Sequence, residues 1–187
     1  MPTIDTATTP PGTPTGFREA RLRAMVDGHF DTVWRALKRL GVPESGADDA
    51  AQQVFLVASR RLDEIEPAGE RSYLLGVALR VAADARRTLR RRREVSLEDD
   101  RELPAAPAPA PAPEELLDDK RARMALAAHL ARMPDELREA FVLFELEEMS
   151  APEVAAILGV PIGTVASRVR RARDHIRQRL GHLRGGT

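Results

Sequence analysis

The sequence contains no cysteine among its 187 residues, which excludes disulfides, a cysteine-ligated metal site and a thiol nucleophile. Aromatic residues make up only 4% of the chain, with a single Trp and a single Tyr. No apolar run is long enough to cross a bilayer, and the N-terminus lacks the basic-then-apolar pattern of a signal peptide. These absences predict a cytoplasmic protein without membrane insertion.

Ala, Leu and Arg dominate what is present, and because these residues favour helices they predict an all-α fold. Charged residues reach 31% of the chain, yet 29 Lys and Arg balance 29 Asp and Glu to a formal net charge of zero. A neutral total does not by itself indicate a nucleic-acid-binding protein. The distribution of charge along the chain is therefore more informative than its sum.

Two segments poor in apolar residues divide the chain. Residues 1–16 are rich in Thr, Pro and Gly and predict a disordered tail. Residues 95–115 include a run in which every second residue is proline, which cannot form a helix interior and predicts a flexible Pro/Ala-rich linker. The predicted architecture is two small helical domains, 17–94 and 116–183, joined by that linker.

Apolar spacing predicts four helices in each domain. In the first they are Phe17–Asp27, His29–Leu40, Ala47–Ile65 and Arg71–Arg93. In the second, Leu116–Arg132 and Asp135–Met149 precede two short helices that flank Gly159.

The last two helices have the outline of a helix-turn-helix. Ser150 and Glu153 fit a capping box that begins the first helix, and Gly159 is a natural C-terminal stop. The second helix then carries apolar residues at helical spacing that face inward: Val165, Val169, Ala172 and Ile176. Two short helices joined by a glycine-containing turn are typical of this DNA-binding motif.

The outer face of the second helix is basic. Between residues 163 and 179 there are six arginines and one acid, Asp174, whereas the preceding segment is acidic. A solvated arginine-rich face is the plainer interpretation, but the cap, the stop, the turn and the one-sided charge coincide and favour a major-groove helix. The predicted DNA-contacting residues are Thr164, Ser167, Arg168, Arg170, Arg171 and Arg173.

A second basic feature ends the fourth predicted helix, where four consecutive arginines, 90–93, follow Arg80, Arg86 and Arg87. Cations are favoured at a helix C-terminus by the macrodipole, but four in succession exceed that requirement. They encircle the helix, which favours binding of nucleic-acid phosphates.

These segments resemble the extracytoplasmic-function sigma factors. GVPIGTVASRVRRARDHIRQRL is similar to the helix-turn-helix of the family's fourth region, and the upstream Met133-Pro134 stands at the family's Leu-Pro position. ADDAAQQVFLVASRRL is similar to the core-binding helix of the second region, and RSYLLGVALRVAADARRTLRRRR to its promoter-melting helix. The resemblance covers nearly all of both domains.

The resemblance implies a transcription initiation factor whose partners are the clamp and flap of core RNA polymerase, promoter DNA and an anti-sigma factor. It implies a monomer when free. The residues themselves predict no cofactor and no metal, because no Gly-rich phosphate loop and no ligand-like spacing of histidines is present. The implied polymerase-binding residues are Asp48, Asp49, Gln52 and Gln53, with Phe55 in the core. The implied minus-ten residues, which include the basic helix end, are Arg80, Asp84, Arg87, Arg90 and Arg91.

Three departures from the family pattern predict altered contacts. Gln53 replaces a usual Glu and removes a charge from the clamp surface. Arg80 stands where Asn is frequent, and because the two side chains make different base contacts the minus-ten preference is expected to differ. Ala166 stands where Lys or Arg is common, which removes one DNA contact.

Three other classes of protein are alternatives. A stand-alone helix-turn-helix regulator would dimerise on paired half-sites and leaves the first domain unexplained. A decoy that binds polymerase without using DNA is consistent with Arg80 and Gln53. An enzyme finds little support, because the four histidines lack ligand-like spacing, no nucleophile–base pair stands out, and the carboxylates of Asp48 and Asp49 project in different directions from a helix.

Overall fold

The computed structural model of the chain describes residues 15–96 and 124–184. Regular structure in these ranges is entirely helical, as the composition predicts. The first block contains α1 (Thr15–Arg39), α2 (Glu44–Arg60) and α3 (Glu70–Ser96). The second block contains α4 (124–131), α5 (Asp135–Phe141), α6 (Ala151–Leu158) and α7 (Ile162–Arg184). The predicted tail lies almost wholly, and the predicted linker mostly, outside the described residues.

The prediction of two helices before residue 41 is wrong, because α1 is continuous through Gly28. A glycine inside a helix costs about 1 kcal/mol relative to alanine, and tertiary packing on either side of it outweighs that cost. Met25 and Val33 are both 1% exposed and anchor the two halves of α1 to the same core. Gly28 itself lies on the exposed side of the helix.

Helix α2 is shorter than predicted. It ends at Arg60, and two single 3₁₀ turns, Leu62–Glu64 and Pro67–Gly69, lead into α3. Leu62 and Ile65 remain buried although they have left the helix, so the apolar spacing was correct and only the boundary was wrong. Phe55 is 7% exposed and belongs to the core, as predicted.

Helix α5 also differs from its predicted form, since it ends in a single π-helical turn, Val142–Leu146. The backbone N–H of Glu147 donates to the carbonyl of Val142 at 2.9 Å, and Glu148 then has a positive φ of 52°. A π turn widens the helix by one residue and is not encoded by any simple sequence period. It directs the side chain of Glu147 inward, where it is 5% exposed.

The two blocks share a continuous core. Ala36 and Leu75, from the first block, are fully buried in a cluster otherwise made by the second block, with Leu143, Val154 and Val165 among its members. Reciprocally, some second-block residues are buried in the first-block cluster: Leu130, Met133, Leu137, Phe141, Val142 and Ala172. In this conformation the blocks therefore form one folded body.

Two glycines of the first block, one in open space and one against Arg138 of the second block, give a matched test of this packing. A Cβ added at Gly28 has no atom within 4 Å, so Gly28→Ala is expected to raise the free energy of unfolding by about 0.5–1 kcal/mol. Gly41 has a φ of +99°, and a Cβ there lies 2.6 Å from Nη1 of buried Arg138. Gly41→Ala is expected to lower that free energy by about 1–3 kcal/mol. Urea denaturation followed by circular dichroism measures both, and equal effects would contradict the packing described.

Candidate nucleic-acid interface

The helix-turn-helix is fixed by local hydrogen bonds at both ends of α6. The backbone N–H of Ser150 donates to Oε2 of Glu153 at 2.9 Å, and the N–H of Glu153 donates to Oγ of Ser150 at 3.4 Å, which completes the predicted capping box. Gly159 ends the helix in the left-handed conformation at φ 64° and ψ 36°. The N–H groups of Thr164 and Val165 then donate to the carbonyl of Pro161 and start α7.

The inner face of α7 is buried as predicted. Val165, Val169 and Ala172 are 1%, 4% and 0% exposed, and Ile176 packs at the edge of the core. Because these residues are held against α5 and α6, they fix the rotation of α7 about its axis. Everything on the opposite side of the helix is consequently presented to the surroundings.

The six predicted DNA-contacting residues lie along the outer side of α7, but they are not equivalent. Arg170, Arg171 and Arg173 are exposed, whereas Thr164, Ser167 and Arg168 are half-buried. Arg168 pairs with Glu136 at 3.2 Å, and Nε of Arg173 donates to Glu145 at 2.7 Å. Within the described ranges, Arg170 and Arg171 make no ion pair, so their guanidinium groups are the most available on this face.

The arginines at the basic end of α3 also differ from one another in their ion-pair partners. Arg80, Arg87 and Arg91 are exposed, and Arg87 donates to Asp84 at 2.8 Å one helical turn away. Arg90 instead donates to Asp135 of α5. The arginines therefore do not all point outward, as an encircling basic cluster would require.

Arg86 lies on the inner side of α3, and its side chain is only 8% exposed. Nη1 donates to the carbonyl of Leu40 at 2.6 Å and Nη2 donates to Glu139 at 2.6 Å. Burial by itself raises the pKa of nearby Asp135, but the hydrogen bond from Arg90 and the charges of Arg86 and Arg138 outweigh it and lower the pKa below its ordinary value. Burial lowers the pKa of Arg138, and the charge of Asp135 opposes that effect.

The four predicted polymerase-binding residues form an exposed polar face of α2: Asp48, Asp49, Gln52 and Gln53. The indole N–H of Trp34 donates to Asp48 at 2.8 Å, which ties this face to α1.

Two apolar residues beside that face were missed by the sequence analysis. Leu56 is 53% exposed one turn beyond Gln52, and Phe30 is 37% exposed with its ring 6.3 Å from that of Phe55. Leu56 could have been found from its helical spacing to Gln52 and Gln53, because residues i and i+4 share a face. Exposed apolar side chains beside polar ones are typical of protein-binding surfaces.

No helix within the described ranges is both long and apolar enough to span a membrane. The described residues form an all-helical protein with a helix-turn-helix whose second helix, α7, has a basic outer side, and α2 carries a separate exposed polar face. Residues 123–176 match the family model described as sigma-70, region 4, a segment that includes all of the helix-turn-helix except the last turns of α7.

The similarity to known proteins extends over both blocks. The ECF RNA polymerase sigma factor SigE of Mycolicibacterium smegmatis is 33% identical over 156 residues, which cover 83% of this chain and 60% of that protein. SigC of Mycobacterium tuberculosis, also an ECF RNA polymerase sigma factor, is 32% identical over 160 residues, covering 82% of this chain and 80% of that protein. The solved structure of CnrH in complex with the cytosolic domain of CnrY has a TM-score of 0.64 and 25% identity, with 88% of this chain and 90% of that chain covered.

The chain therefore belongs to the extracytoplasmic-function RNA polymerase sigma factors, which are transcription initiation factors. The resemblance noted in the sequence is confirmed at the level of the family, and similarity over both blocks disfavours a stand-alone regulator.

The environment of Asp135 predicts an acid-sensitive contact between the blocks. The groups that pair with Asp135 are Arg86 and Arg90 from α3 and Arg138 from α5, and Arg86 is shared with Glu139. Because the folded pKa is lower than the unfolded value of about 3.9, the stabilisation is complete above that pH and is lost as the pH falls through the folded pKa. Wild type should therefore exceed Asp135→Asn in free energy of unfolding at pH 7, and the difference should shrink below about pH 4.

Urea denaturation at a series of pH values measures this difference. Asp63→Asn is the control, because Asp63 pairs with Arg18 on the exposed surface of the first block. A difference between wild type and Asp135→Asn that does not change with pH would contradict the assignment.

Proposed function

We propose that this chain binds core RNA polymerase through α2 and, in the cytoplasm, directs it to promoters through two DNA-binding surfaces. The first is the outer face of α7, which recognises the minus-thirty-five element. The second is the basic end of α3, which contacts the minus-ten element. The observation that carries the proposal is the exposure of Arg170 and Arg171 opposite the buried side of α7, inside the segment that matches sigma-70 region 4.

The chemistry of α7 suits the major groove. A guanidinium group can donate two hydrogen bonds to O6 and N7 of one guanine, which distinguishes that base from the other three. Arg170 and Arg171 are placed for this role, whereas Thr164 and Ser167, near the start of the helix, suit contacts with base edges or phosphates. Arg168 and Arg173 would first exchange their carboxylate partners for DNA.

On α3 the exposed arginines 80, 87 and 91 supply positive charge for the DNA backbone. Asp84, paired with Arg87, would fix the orientation of that guanidinium group rather than contact phosphate, since two anions repel. Arg90 is the one member of the predicted minus-ten set that is held by another element, since Asp135 of α5 accepts its hydrogen bond.

On α2 we infer that Asp48, Asp49, Gln52 and Gln53 supply polar contacts to polymerase and that Leu56 supplies an apolar one. The side chains lie on one helical face, and Leu56 is 53% exposed. An apolar residue ringed by polar groups resembles the centre and rim of a protein interface.

In this proposal residues 17–94 form the domain that binds polymerase and the minus-ten element, and residues 116–183 form the domain that binds the minus-thirty-five element. An anti-sigma partner is also proposed, because a solved neighbour, the sigma factor RpoE of Bartonella quintana, was crystallised in complex with the anti-sigma factor NepR. The similarity to SigC covers 82% of this chain and not only the helix-turn-helix, which disfavours a stand-alone helix-turn-helix regulator. Nothing in the proposed function requires a catalytic residue, a cofactor or a metal.

Run-off transcription tests the proposal. Purified core polymerase, the protein and fragmented genomic DNA of the source organism should give discrete starts that are absent without the protein. Arg171→Ala should weaken promoter recognition by about 1–3 kcal/mol, the usual value of one bidentate base contact, while circular dichroism shows the fold unchanged.

The matched control is Arg23→Ala, because Arg23 is an exposed arginine of α1 outside all three proposed surfaces. Equal loss in both variants would show that general charge, and not α7, carries recognition. No starts with wild type, together with no co-migration with core polymerase on a sizing column, would overturn the proposal.

A further inference from the structure

The start of α7 carries an exposed apolar patch, formed by Ile162 and Ala166. Ile162 is 51% exposed and belongs to neither apolar cluster of the core. Ala166, one helical turn further on, is also exposed. Residues four apart lie on one side of a helix, and each Cβ leans toward the N-terminus, so the methyl group of Ala166 points over the turn that holds Ile162. The two side chains therefore present one continuous apolar surface.

The patch continues into the basic part of the same helix. Arg170 follows Ala166 at the same four-residue spacing and is exposed, and Arg171 is exposed beside it. Residues 162–167 include no charged side chain, whereas residues 168–173 include four arginines. Along its length α7 is thus divided into an uncharged start and a cationic middle, which suits two different kinds of contact with DNA.

The side chains of the patch suit bases and not phosphates. Those of Ile162 and Ala166 offer neither a charge nor a hydrogen bond, so they add nothing to the binding of the DNA backbone. In the major groove the apolar group that a base presents is the C5-methyl of thymine. Residues near the start of a recognition helix are those that reach base edges. The chemistry of the patch therefore fits a thymine methyl group.

The surroundings of the patch leave room for a base. Alanine has the shortest side chain that carries a methyl group, so only a group that comes near the backbone of α7 can touch Ala166. Gly163 is exposed next to the patch, and a Cβ built at that position has no atom within 4 Å. The start of α7 can therefore approach the floor of a groove closely.

The position of Ile162 distinguishes it from other exposed apolar residues. Single exposed apolar side chains are common on protein surfaces and by themselves indicate nothing. Among the described residues the large exposed ones are Phe17, Phe30, Leu56, Met124 and Ile162. Of these only Ile162 lies on α7, in line with the arginines proposed to read bases.

We propose that Ile162 and Ala166 read the C5-methyl group of a thymine in the minus-thirty-five element, beside the bases that Arg170 and Arg171 contact. The proposal rests on the proposed function of α7 in minus-thirty-five recognition. It adds a preference that the arginines do not supply, because a guanidinium group selects guanine. Recognition by α7 then has an apolar source at its start and a hydrogen-bonding source in its middle.

Replacement of thymine by deoxyuridine tests the proposal, because the two bases differ only in the C5-methyl group. The templates are synthetic copies of a promoter identified by run-off transcription, each with one thymine of the minus-thirty-five element, on either strand, replaced. Binding by core polymerase with the full chain should weaken about four-fold at one thymine or at two adjacent ones, the change expected when one methyl group is no longer removed from water. Binding should stay unchanged at the other thymines.

Two variants connect the methyl effect to the patch. At the sensitive thymine, the ratio of affinities for the thymine and deoxyuridine templates should fall in Ile162→Ala, because the apolar surface is smaller. In Ala166→Lys the ratio should fall to about one, because a hydrated ammonium group replaces the methyl group of alanine. Alanine and lysine are both favourable in helices, so circular dichroism should show the fold unchanged.

The matched control is Met124→Ala, because Met124 is an exposed apolar residue outside α7 and its loss should leave the ratio at the wild-type value. A minus-thirty-five element without a thymine that is sensitive to deoxyuridine would overturn the proposal. A ratio that stays at the wild-type value in both α7 variants would overturn it as well, since another residue would then read the methyl group. Absence of promoter-specific starts with the wild-type protein would instead remove the proposed function on which the proposal rests.

Discussion

Burial of helix α3 on two sides is the constraint on which the rest of the structure depends. One side packs Leu74, Val77 and Ala78 into the core with α1 and α2, and another side packs Leu75 against the helix-turn-helix. A helix that is apolar on two adjacent faces must pack against a different neighbour on each of them. Because α6 and its neighbours pack on this second side, the orientation of α7 relative to α3 is set by the same packing that stabilises the fold.

The same arrangement pairs many of the opposite charges that the sequence holds in equal number. The arginines of α3 and α7 meet carboxylates of α5 and of the π turn that follows it, through Glu136, Glu139 and Glu145 among others. A protein whose cations are paired internally attracts DNA weakly at long range, because the two signs cancel beyond a Debye length. Internal pairing therefore suits a protein whose DNA binding depends on being carried to the promoter by another molecule.

Much of this could be predicted from the sequence, where local signals were sufficient. The capping box at Ser150 and Glu153, the stop at Gly159 and the buried side of α7 each depend on residues within one or two turns of each other. The family could also be identified from the sequence, because each of its motifs is a contiguous stretch of residues. The assignments of individual residues to DNA and polymerase remain predictions.

The predictions that were wrong concern features set by contacts between residues far apart in the sequence. The continuity of α1 through Gly28 depends on Met25 and Val33 reaching one core, and the π turn after α5 depends on Glu147 meeting Arg39 and Arg71, more than 70 residues upstream. The sequence also does not predict that the side chain of Arg86 points inward, because its partners Leu40 and Glu139 lie outside α3 and far from Arg86 in the sequence. Composition and period carry no information on such pairings.

The 27 residues between the blocks, 97–123, have a consequence for affinity. Because the two blocks belong to one chain, binding of one block to its partner holds the other nearby at an effective concentration that does not fall when the protein is diluted. A partner that binds only when the two blocks are apart finds its site in a fraction of the molecules, the open fraction. For such a partner the apparent dissociation constant equals its intrinsic value divided by the open fraction. The fit of the interface therefore sets the open fraction, and with it the concentration of such a partner needed for half-saturation, while the contacts with that partner stay the same.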